Sequence, residues 1–444
     1  MDKIVLVHLS DIHFTGSSGV SIHDLDADIR NELWIDAVSA AKDIGKVTGL
    51  LVTGDVAYSG SKAEYDHATE WLRDFCRAIG CPEENVWVVP GNHDVDRNLA
   101  TRKVTRTLHQ TIRKEGSDID RELREVFSDS QSAAALLEPL TEYNTFAGRF
   151  GCSISAEKYY WERDLKLACG TVIRLRGLTS ALVSNADDKR GDMVLGTAQA
   201  NVARESGVFH VILCHHPPDW LRDHDAVEDQ LKSRVDIQLF GHKHSQRLDE
   251  INGKVRLVAG AMHPERGERE WIPIYNFLEL SRRDNDRLGL RIYPRCWSQQ
   301  DTKFVTWRDP ANGKDHREFF WSGYPAAAQP ENQSGDAHEP RGTKVAALAV
   351  SPVMTTEKDN NAMPPPNHDR RLTYRFLTLP FRHQIAIAQS LNVLTDEDSA
   401  LSDEALFREL FKRAAANGLL AKLWEETEKR HADPATYNPF ESSR

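Results

Sequence analysis

The sequence predicts an α/β fold with a mixed two-sheet core and a small all-α domain towards its C-terminal end, on three observations. Apolar runs of strand length alternate with helical stretches from Met1 to about residue 323, the pattern of α/β architecture. Apolar runs at 274–280 and 288–293 flank a polar turn, as in an antiparallel hairpin, so a single parallel sheet does not account for the chain. Helical spacing then resumes near residue 381, after a long polar stretch.

Taken in order, the first strand is expected at residues 4–9 and the first helix at 24–46, where Ile29, Leu33, Ala37, Ala40 and Ile44 share one side. A strand at 50–53 leads to a better-marked helix. Ser61 and Glu64 have capping-box spacing, Tyr65, Ala68, Leu72, Phe75 and Ile79 recur at helical intervals, and Gly80 supplies a stop. Further buried strands are expected at 86–89, 209–214 and 235–240. Between residues 97 and 150 the chain turns to charged helical stretches with a polar break near Gly116 and Ser117, an insertion placed to overhang whatever follows the third strand.

Residues 326–370 are rich in Pro, Asn, Gly, Ser and charge, include Pro364-Pro365-Pro366, and read as a disordered linker. Beyond it, 371–444 reads as a helical interaction domain. One helix is read over residues 381–391, Ser402 with Asp403 and Glu404 starts a second through Leu406, Phe407, Leu410, Phe411 and Ala414 to a break at Asn417-Gly418, and a third begins at Leu419 and Leu420. The expected organisation is a catalytic domain over 1–325, the linker, and this bundle.

A hydrophobic content of 40%, a charged content of 28% and a net charge of -11 describe an acidic protein, not a nucleic-acid binder by bulk charge. Six cysteines without paired C-x-x-C spacing argue against a disulfide framework or a thiolate zinc site. The first apolar run is too short for a leader and no stretch has the length of a membrane span, so a cytoplasmic protein without membrane association is expected.

Five short segments carry the chemistry: Asp11-Ile12-His13, Gly54-Asp55, Gly91-Asn92-His93-Asp94, His215-His216 and Gly241-His242-Lys243-His244. Each follows a strand-like run, and in open α/β sheets ligands bind beyond the carboxyl ends of strands. Carboxylate and carbonyl oxygens with imidazole nitrogens suit divalent metals that keep positions open for water and substrate. Two metals a few ångströms apart need a bridging carboxylate, and Asp55, directly after a strand and a glycine, is the best placed. A lone histidine after a strand is more often a satisfied polar group than a ligand; all five segments together make that reading improbable.

The segments resemble the calcineurin-like metallophosphoesterase superfamily, whose pattern is D-x-H, GD, GNH[DE], H and GH-x-H. The resemblance implies a two-sheet β-sandwich flanked by helices. It implies one metal held by Asp11, His13, Asp55 and His244, and another by Asp55, Asn92, His215 and His242, the pair being divalent or mixed-valence manganese, iron or zinc. It makes His93 the non-ligand catalytic histidine near the leaving group. Asp94 either orients His93 as a second catalytic residue or serves as a turn residue. His216 and Arg97 are candidate substrate-binding residues, together with Asn92. The expected reaction is hydrolysis of a phosphodiester by a hydroxide held between the ions, with His93 assisting the leaving group.

Neighbouring residues narrow the branch. Gly54-Asp55-Val56-Ala57-Tyr58 fits the GD-x-x-Y of purple acid phosphatases, but those lack the histidine of D-x-H, so Tyr58 is expected in the pocket or its packing and not on a metal. A GD-x-x-DRG segment of Ser/Thr protein phosphatases is missing. His8-Leu9-Ser10-Asp11, Pro90-Gly91-Asn92-His93-Asp94 and His215-His216-Pro217-Pro218 look most like bacterial class III cyclic nucleotide phosphodiesterases, which implies a diester, including a nucleotide. Two alternatives stand beside it: a phosphomonoesterase, and a DNase or RNase effector. The nuclease would need a basic track, for which Arg97, Arg102, Lys103, Arg106, Arg113 and Lys114 are candidates. A solvated helix face is the simpler explanation of those charges.

The C-terminal helices, around Leu379-Pro380-Phe381, Leu406-Phe407 and Gly418-Leu419-Leu420, resemble death-fold-like adaptor domains of bacterial conflict effectors. That implies recruitment by a protein partner, or self-association. A metal-bound scaffold without turnover is disfavoured because no position of the motif is degraded.

Overall fold

Largely apolar strands build two mixed sheets in the computed structural model, which describes residues 3–15, 25–114, 118–262, 272–283, 287–310, 312–322, 324, 372, 375–376, 379, 381–394 and 403–430. The first sheet is seven-stranded. Its centre is β1 (Lys3–Leu9), parallel to β2 (Gly49–Val52), which is parallel to β3 (Val86–Val88).

The second sheet has six strands, in the order β4 (Tyr160–Lys166), β5 (Val172–Leu178), β6 (Val208–Cys214), β7 (Ile237–Phe240), β9 (Lys254–Val258) and β8 (Arg247–Ile251). From β5 to β9 the neighbours run parallel, while β4 and β8 close the edges antiparallel. The first sheet is completed by β10 (Ile274–Arg283) antiparallel to β1, then β11 (Arg287–Ser298), with β12 (Lys303–Thr306) and β13 (Arg317–Trp321) both on β11. The expected hairpin is therefore real, with Arg283 opposite Arg287.

Strand β6 shows how the layers form. Phe209, Val211 and Leu213 join the main core with Ile4, Leu50 and Val88 of the first sheet, whereas Ile212 and Cys214 face the other way. There they meet Val227 and Leu231 of a helix at His224–Arg234. Successive strand residues point to opposite faces, so one strand serves both layers. Helices α1 (Leu25–Ile44) and α2 (Lys62–Ile79) cover the first sheet through Ile29, Leu33, Leu72 and Phe75. At the start of α2 the Glu64 carboxylate accepts from the amides of Ser61 at 2.9 Å and Ser59 at 3.0 Å, and Gly80 ends the helix at φ 69°. Asp36 of α1 is tied to Arg295 and Tyr275 across the sheet edge, which fixes the helix to β10 and β11.

Strands β4, β5, β8, β9, β12 and β13 go beyond the elements expected above. β4 reads YWERDLK because it is an edge strand with one face in solvent. The charged stretch after β3 folds into short helices, among them Lys103–Ile112, Ile119–Ser128, Ser130–Leu137 and Thr141–Gly148, around a small cluster of Ile112, Leu123, Val126, Leu136, Leu182, Val183 and Val194. The polar break at Gly116 and Ser117 lies outside the described residues, as does the linker at 326–370.

His109, in the first of those helices, is buried and both its ring nitrogens lack a hydrogen-bond partner among the described residues. Burial, with Arg113 adding to it, lowers its pKa from 6.5 to about 4. Above pH 6.5 the ring is neutral in both states and contributes no pH dependence. As pH falls from 6.5 towards about 4 the unfolded chain takes up a proton that the folded chain refuses, so stability drops by up to about 3 kcal/mol. His109→Leu is expected to flatten that limb of the stability–pH curve; an equally steep curve in the variant would count against this account.

Towards the C-terminus, helices at Phe381–Ser390, Asp403–Ala416 and Leu420–Glu428 form a separate apolar cluster. Leu372, Phe376, Ile387, Ala388, Leu410, Phe411, Ala414, Leu423 and Trp424 make it up, and Gly418 breaks the chain between the last two helices at φ 67°. A buried ion pair joins Arg375 to Glu428. Among the described residues no helix is long and apolar enough to cross a membrane.

Candidate metal centre

Parallel strands deliver their carboxyl ends to one place. Asp11 and His13 follow β1, Asp55 follows β2, and Asn92 and His93 follow β3; His215 follows β6, and His242 and His244 follow β7. The two sheets meet here through short bonds. His215 Nδ1 donates to the Thr53 carbonyl at 2.8 Å, and the His242 amide donates to Asp11 Oδ2 at 3.3 Å. Amides of Asp11, His13 and Phe14 bond to the carbonyls of Gly54, Asp55 and Val56 at 2.8–3.1 Å, so the loops after β1 and β2 are laced together.

Five of these residues, Asp11, His13, Asp55, His242 and His244, hold left-handed backbone with φ between 51° and 68°. Such a conformation costs a non-glycine residue about 1–3 kcal/mol and persists where surrounding structure enforces it, most often at functional sites. Close approach also explains Gly91 and Gly241. A Cβ at Gly91 would lie 2.1 Å from Asp55 Oδ1, and one at Gly241 would lie 2.3 Å from Ser10 Oγ.

Asp55 sits at the middle. Its Oδ2 lies 3.7 Å from His13 Nε2 and 3.3 Å from His215 Nε2, while Oδ1 accepts from the His93 amide at 2.8 Å. On one side Asp11, His13 and His244 present ligand atoms within 4.8 Å of one another; on the other, Asp11, Asp55 and His215 do so, as do His215, His216 and His242. Asn92 Oδ1 stands 3.1 Å from His215 Nε2 and 3.0 Å from His242 Nδ1. Because His215 Nδ1 faces a carbonyl and must carry a proton, the Nε2 lone pair of the neutral ring converges with Asn92 Oδ1 and Asp55 Oδ2. Three acceptors facing one point fit a cation, and the donor set of oxygen and imidazole suits a divalent transition metal.

Electrostatics agree with that fit. Burial pushes the Asp11 carboxyl up, but the imidazoles of His244 and His215 outweigh it and hold it down at about 2. Asp55 is likewise pushed up by burial and held well below the usual carboxylate range by His215, His93 and His13. Burial, then His215, lowers His242 to about 3, and burial, then His242 and His215, also lowers His216. His215 is opposed by burial yet raised to about 9 by Asp55, so the strongest pull on positive charge falls between these two residues. A bound cation there would displace that proton, since ligands must be deprotonated.

His93 is half-buried. Its Nδ1 donates to the Tyr58 carbonyl at 2.8 Å, and the Arg97 guanidinium lies 3.3 and 3.4 Å from its two nitrogens. Of the two readings of Asp94, orienting that ring or holding a turn, its contacts fit the turn. Its buried carboxylate accepts from the amides of Gly91 at 2.9 Å, Ala57 at 2.9 Å and Val56 at 3.2 Å, and from the Tyr65 hydroxyl at 3.0 Å. These four donors occupy both oxygens, so Asp94 locks the loop after β2 to the loop after β3 and the orienting acceptor for His93 is the Tyr58 carbonyl. Burial, then repulsion from Asp55, raises the Asp94 carboxyl to about 6. Asp94→Ala is expected to destabilise the chain by about 3 kcal/mol or more, at roughly 1–3 kcal/mol per stranded buried donor. An unchanged urea midpoint with lost activity would return Asp94 to the chemistry.

His216 is buried beside the centre, with Nδ1 2.9 Å from Ser180 Oγ and its ring 4.6 Å from that of His242. Trp220 closes the same flank, its ring 4.0 Å from His242. Lys243 is drawn aside to Asp219 at 2.7 Å. Ser180, Thr53, Trp220 and the Tyr58 carbonyl were not readable as site components: backbone acceptors carry no residue signature, and nothing around Ser180 in the sequence marks it. Of the candidate basic track, Arg113 bonds Asp188 at 2.9 Å and the Val183 carbonyl at 2.6 Å, and Arg102 pairs with Glu138 at 2.5 Å.

This arrangement defines a phosphoester-hydrolase class of site, and residues 4–246 match the family model described as calcineurin-like phosphoesterase. The chain belongs to the calcineurin-like phosphoesterase family. Residues 369–429 match a second model, the GTPase-associated adaptor domain. Among curated proteins, the metallophosphoesterase-like protein YydB of Bacillus subtilis (strain 168), itself uncharacterized, is 29% identical over 106 residues, which are 24% of this chain and 20% of that protein. The chain thus spans about a fifth of that relative's length. Solved structures that align include GAP50 of Plasmodium, the anchor in the inner membrane complex, at 11% identity over 69% of this chain and 87% of that one, with a TM-score of 0.36. Vacuolar protein sorting 29 from Cryptosporidium parvum aligns at 14% identity over 72% and 100%, with a TM-score of 0.30.

Proposed function

We propose that this chain is a two-metal phosphodiesterase whose ions share Asp55. The observation that carries the reading is the position of Asp55 Oδ2, between His13 of one sheet and His215 of the other. Asp11, His13, Asp55 and His244 would hold one ion, and Asp55, Asn92, His215 and His242 the other. Manganese, iron or zinc, alone or as a mixed pair, suits these donors. Such ions supply a nucleophile at neutral pH and neutralise charge on the phosphoryl oxygens.

The chain's own residues do the rest. With one proton of His93 committed to the Tyr58 carbonyl, Nε2 is the atom that passes a proton to the departing alkoxide. Arg97, against that ring, adds a positive charge on the side where negative charge develops. Asn92 fixes its carbonyl between His215 and His242, and His216, buttressed by Ser180, walls the opposite flank. A diester is favoured over a monoester on the motif pattern around His8–His13 and His215–Pro218, and the internal pairing of Arg102 and Arg113 weakens a duplex-binding track.

We further propose that residues 1–325 form the catalytic unit, that 326–370 link it to the helical unit at 371–444, and that the latter recruits a protein partner or a second copy. Its match to a GTPase-associated adaptor domain supports a GTPase-bearing partner.

The test is a metal-supplemented panel of a phosphomonoester, a small diester, cyclic nucleotides, and single- and double-stranded nucleic acids. Turnover of diesters well above the monoester is expected; a monoester preference would overturn the diester assignment. Removing residues 370–444 is expected to leave diester hydrolysis in place and abolish partner capture, and loss of both would contradict the two-unit organisation.

A further inference from the structure

We infer that Ser10 is a positioning residue of the metal centre, a hydroxyl that ties down Asp11 Oδ2 so that Oδ1 alone faces the ion held with His13 and His244. The inference rests on the two-metal reading and assigns a further residue to the same centre. The backbone of Asp11 has little freedom: its amide donates to the Gly54 carbonyl at 3.1 Å, and its carbonyl accepts from the Met262 amide at 3.2 Å. What stays open is rotation of the carboxylate, whose two oxygens are equivalent by themselves. Two donors make them unequal, because the Ser10 hydroxyl and the His242 amide, the latter at 3.3 Å, both fall on Oδ2. Oδ1 has no hydrogen-bond partner among the described residues and lies 3.5 Å from His244 Nε2.

The Ser10 hydroxyl has one proton to give and two acceptors in reach. The Thr53 carbonyl is 3.3 Å away, but it already accepts from His215 Nδ1 at 2.8 Å, and an ionised carboxylate is the stronger acceptor. Ser10 and Asp11 are both fully buried, so bulk water does not compete for the bond. Space around the hydroxyl is equally tight: a Cβ at Gly241 would lie 2.3 Å from Ser10 Oγ and 2.6 Å from the Thr53 carbonyl oxygen. Ser10 Oγ is therefore wedged where the chain leaves β1, β2 and β7, and its direction is set by all three. An Asp11 with one oxygen tied binds an ion through the other alone, which leaves that ion positions for water and substrate. Donors that orient a ligand in this way typically govern metal affinity by 10- to 100-fold.

The full chain and its Ser10→Ala variant, each stripped of metal and titrated with manganese, provide the test, read by electron paramagnetic resonance. Two ions are expected to bind the native chain, and the spin-coupled signal of a close pair should grow in. Ser10→Ala should weaken one binding event at least tenfold and leave the other unchanged, so that limiting manganese gives an isolated ion without the pair signal. His13→Ala removes a ligand that only the Asp11-side ion would use and should give the same isolated signal. Adding Ser10→Ala to His13→Ala should then change nothing further.

Urea midpoints of the metal-free chains separate positioning from a structural role, which would lower the midpoint and weaken both ions alike. If the alanine variant does not fold, Ser10→Cys, a weaker donor at the same atom, takes its place with a smaller loss expected at the same ion. An unchanged titration, equal weakening of both ions, or a further loss on top of His13→Ala overturns the role of Ser10 and leaves the two-metal reading standing. A native chain that binds fewer than two ions overturns that reading and this inference with it.

Discussion

Asp55→Ala is expected to abolish metal-dependent hydrolysis, with a loss exceeding the roughly 10³-fold upper range for removing one transition-state donor. The reason is geometric. Asp55 is buried, faces imidazoles of both sheets through one oxygen, and through the other receives the His93 amide at 2.8 Å. Its loss therefore removes a ligand from each proposed ion and frees the loop that carries His93. Asp55→Asn keeps the shape and one acceptor, and should retain more metal than the alanine variant while remaining severely impaired. Wild-type turnover in either variant, assayed at saturating metal, would refute the shared-ligand account.

His93→Ala makes the opposite prediction for metal. The His93 ring is held by the Tyr58 carbonyl and by Arg97, and the proposed ligand sets do not require it. Metal content should stay near that of the native chain, while kcat falls by about 10²–10⁴, the range for loss of a general acid. The deficit should shrink for a p-nitrophenyl ester, whose leaving group needs no proton. A variant that loses metal in proportion to activity would instead make His93 a ligand, a role its clustering with His13 and Asp55 within 4.8 Å allows it to contest.

The central strands and the converging segments were legible because burial writes itself into sequence. β1, β2, β6 and β7 are buried along almost their whole length, so each is a largely apolar run followed within a few residues by a polar residue with work to do. Edge strands lack that signature. β4 and β8 carry exposed faces and charges, so although each pairs with the strand that follows it, β5 or β9, no apolar run marks it. The sequence left Asp94 between two readings for a related reason. A carboxylate beside a histidine in sequence suggests a dyad, but adjacent residues in a tight turn point apart, and the three amides that claim Asp94 are backbone groups with no residue code. The left-handed backbone at Asp11, His13, Asp55, His242 and His244 was equally hidden.

Metal stoichiometry, measured by mass spectrometry on the native chain and Asp55→Ala after reconstitution with manganese, tests the central claim most directly. The account predicts two ions per native chain and a joint loss of both in the variant, parallel to the loss of diester hydrolysis. One ion in the native chain, or two retained after Asp55 is removed, would contradict it.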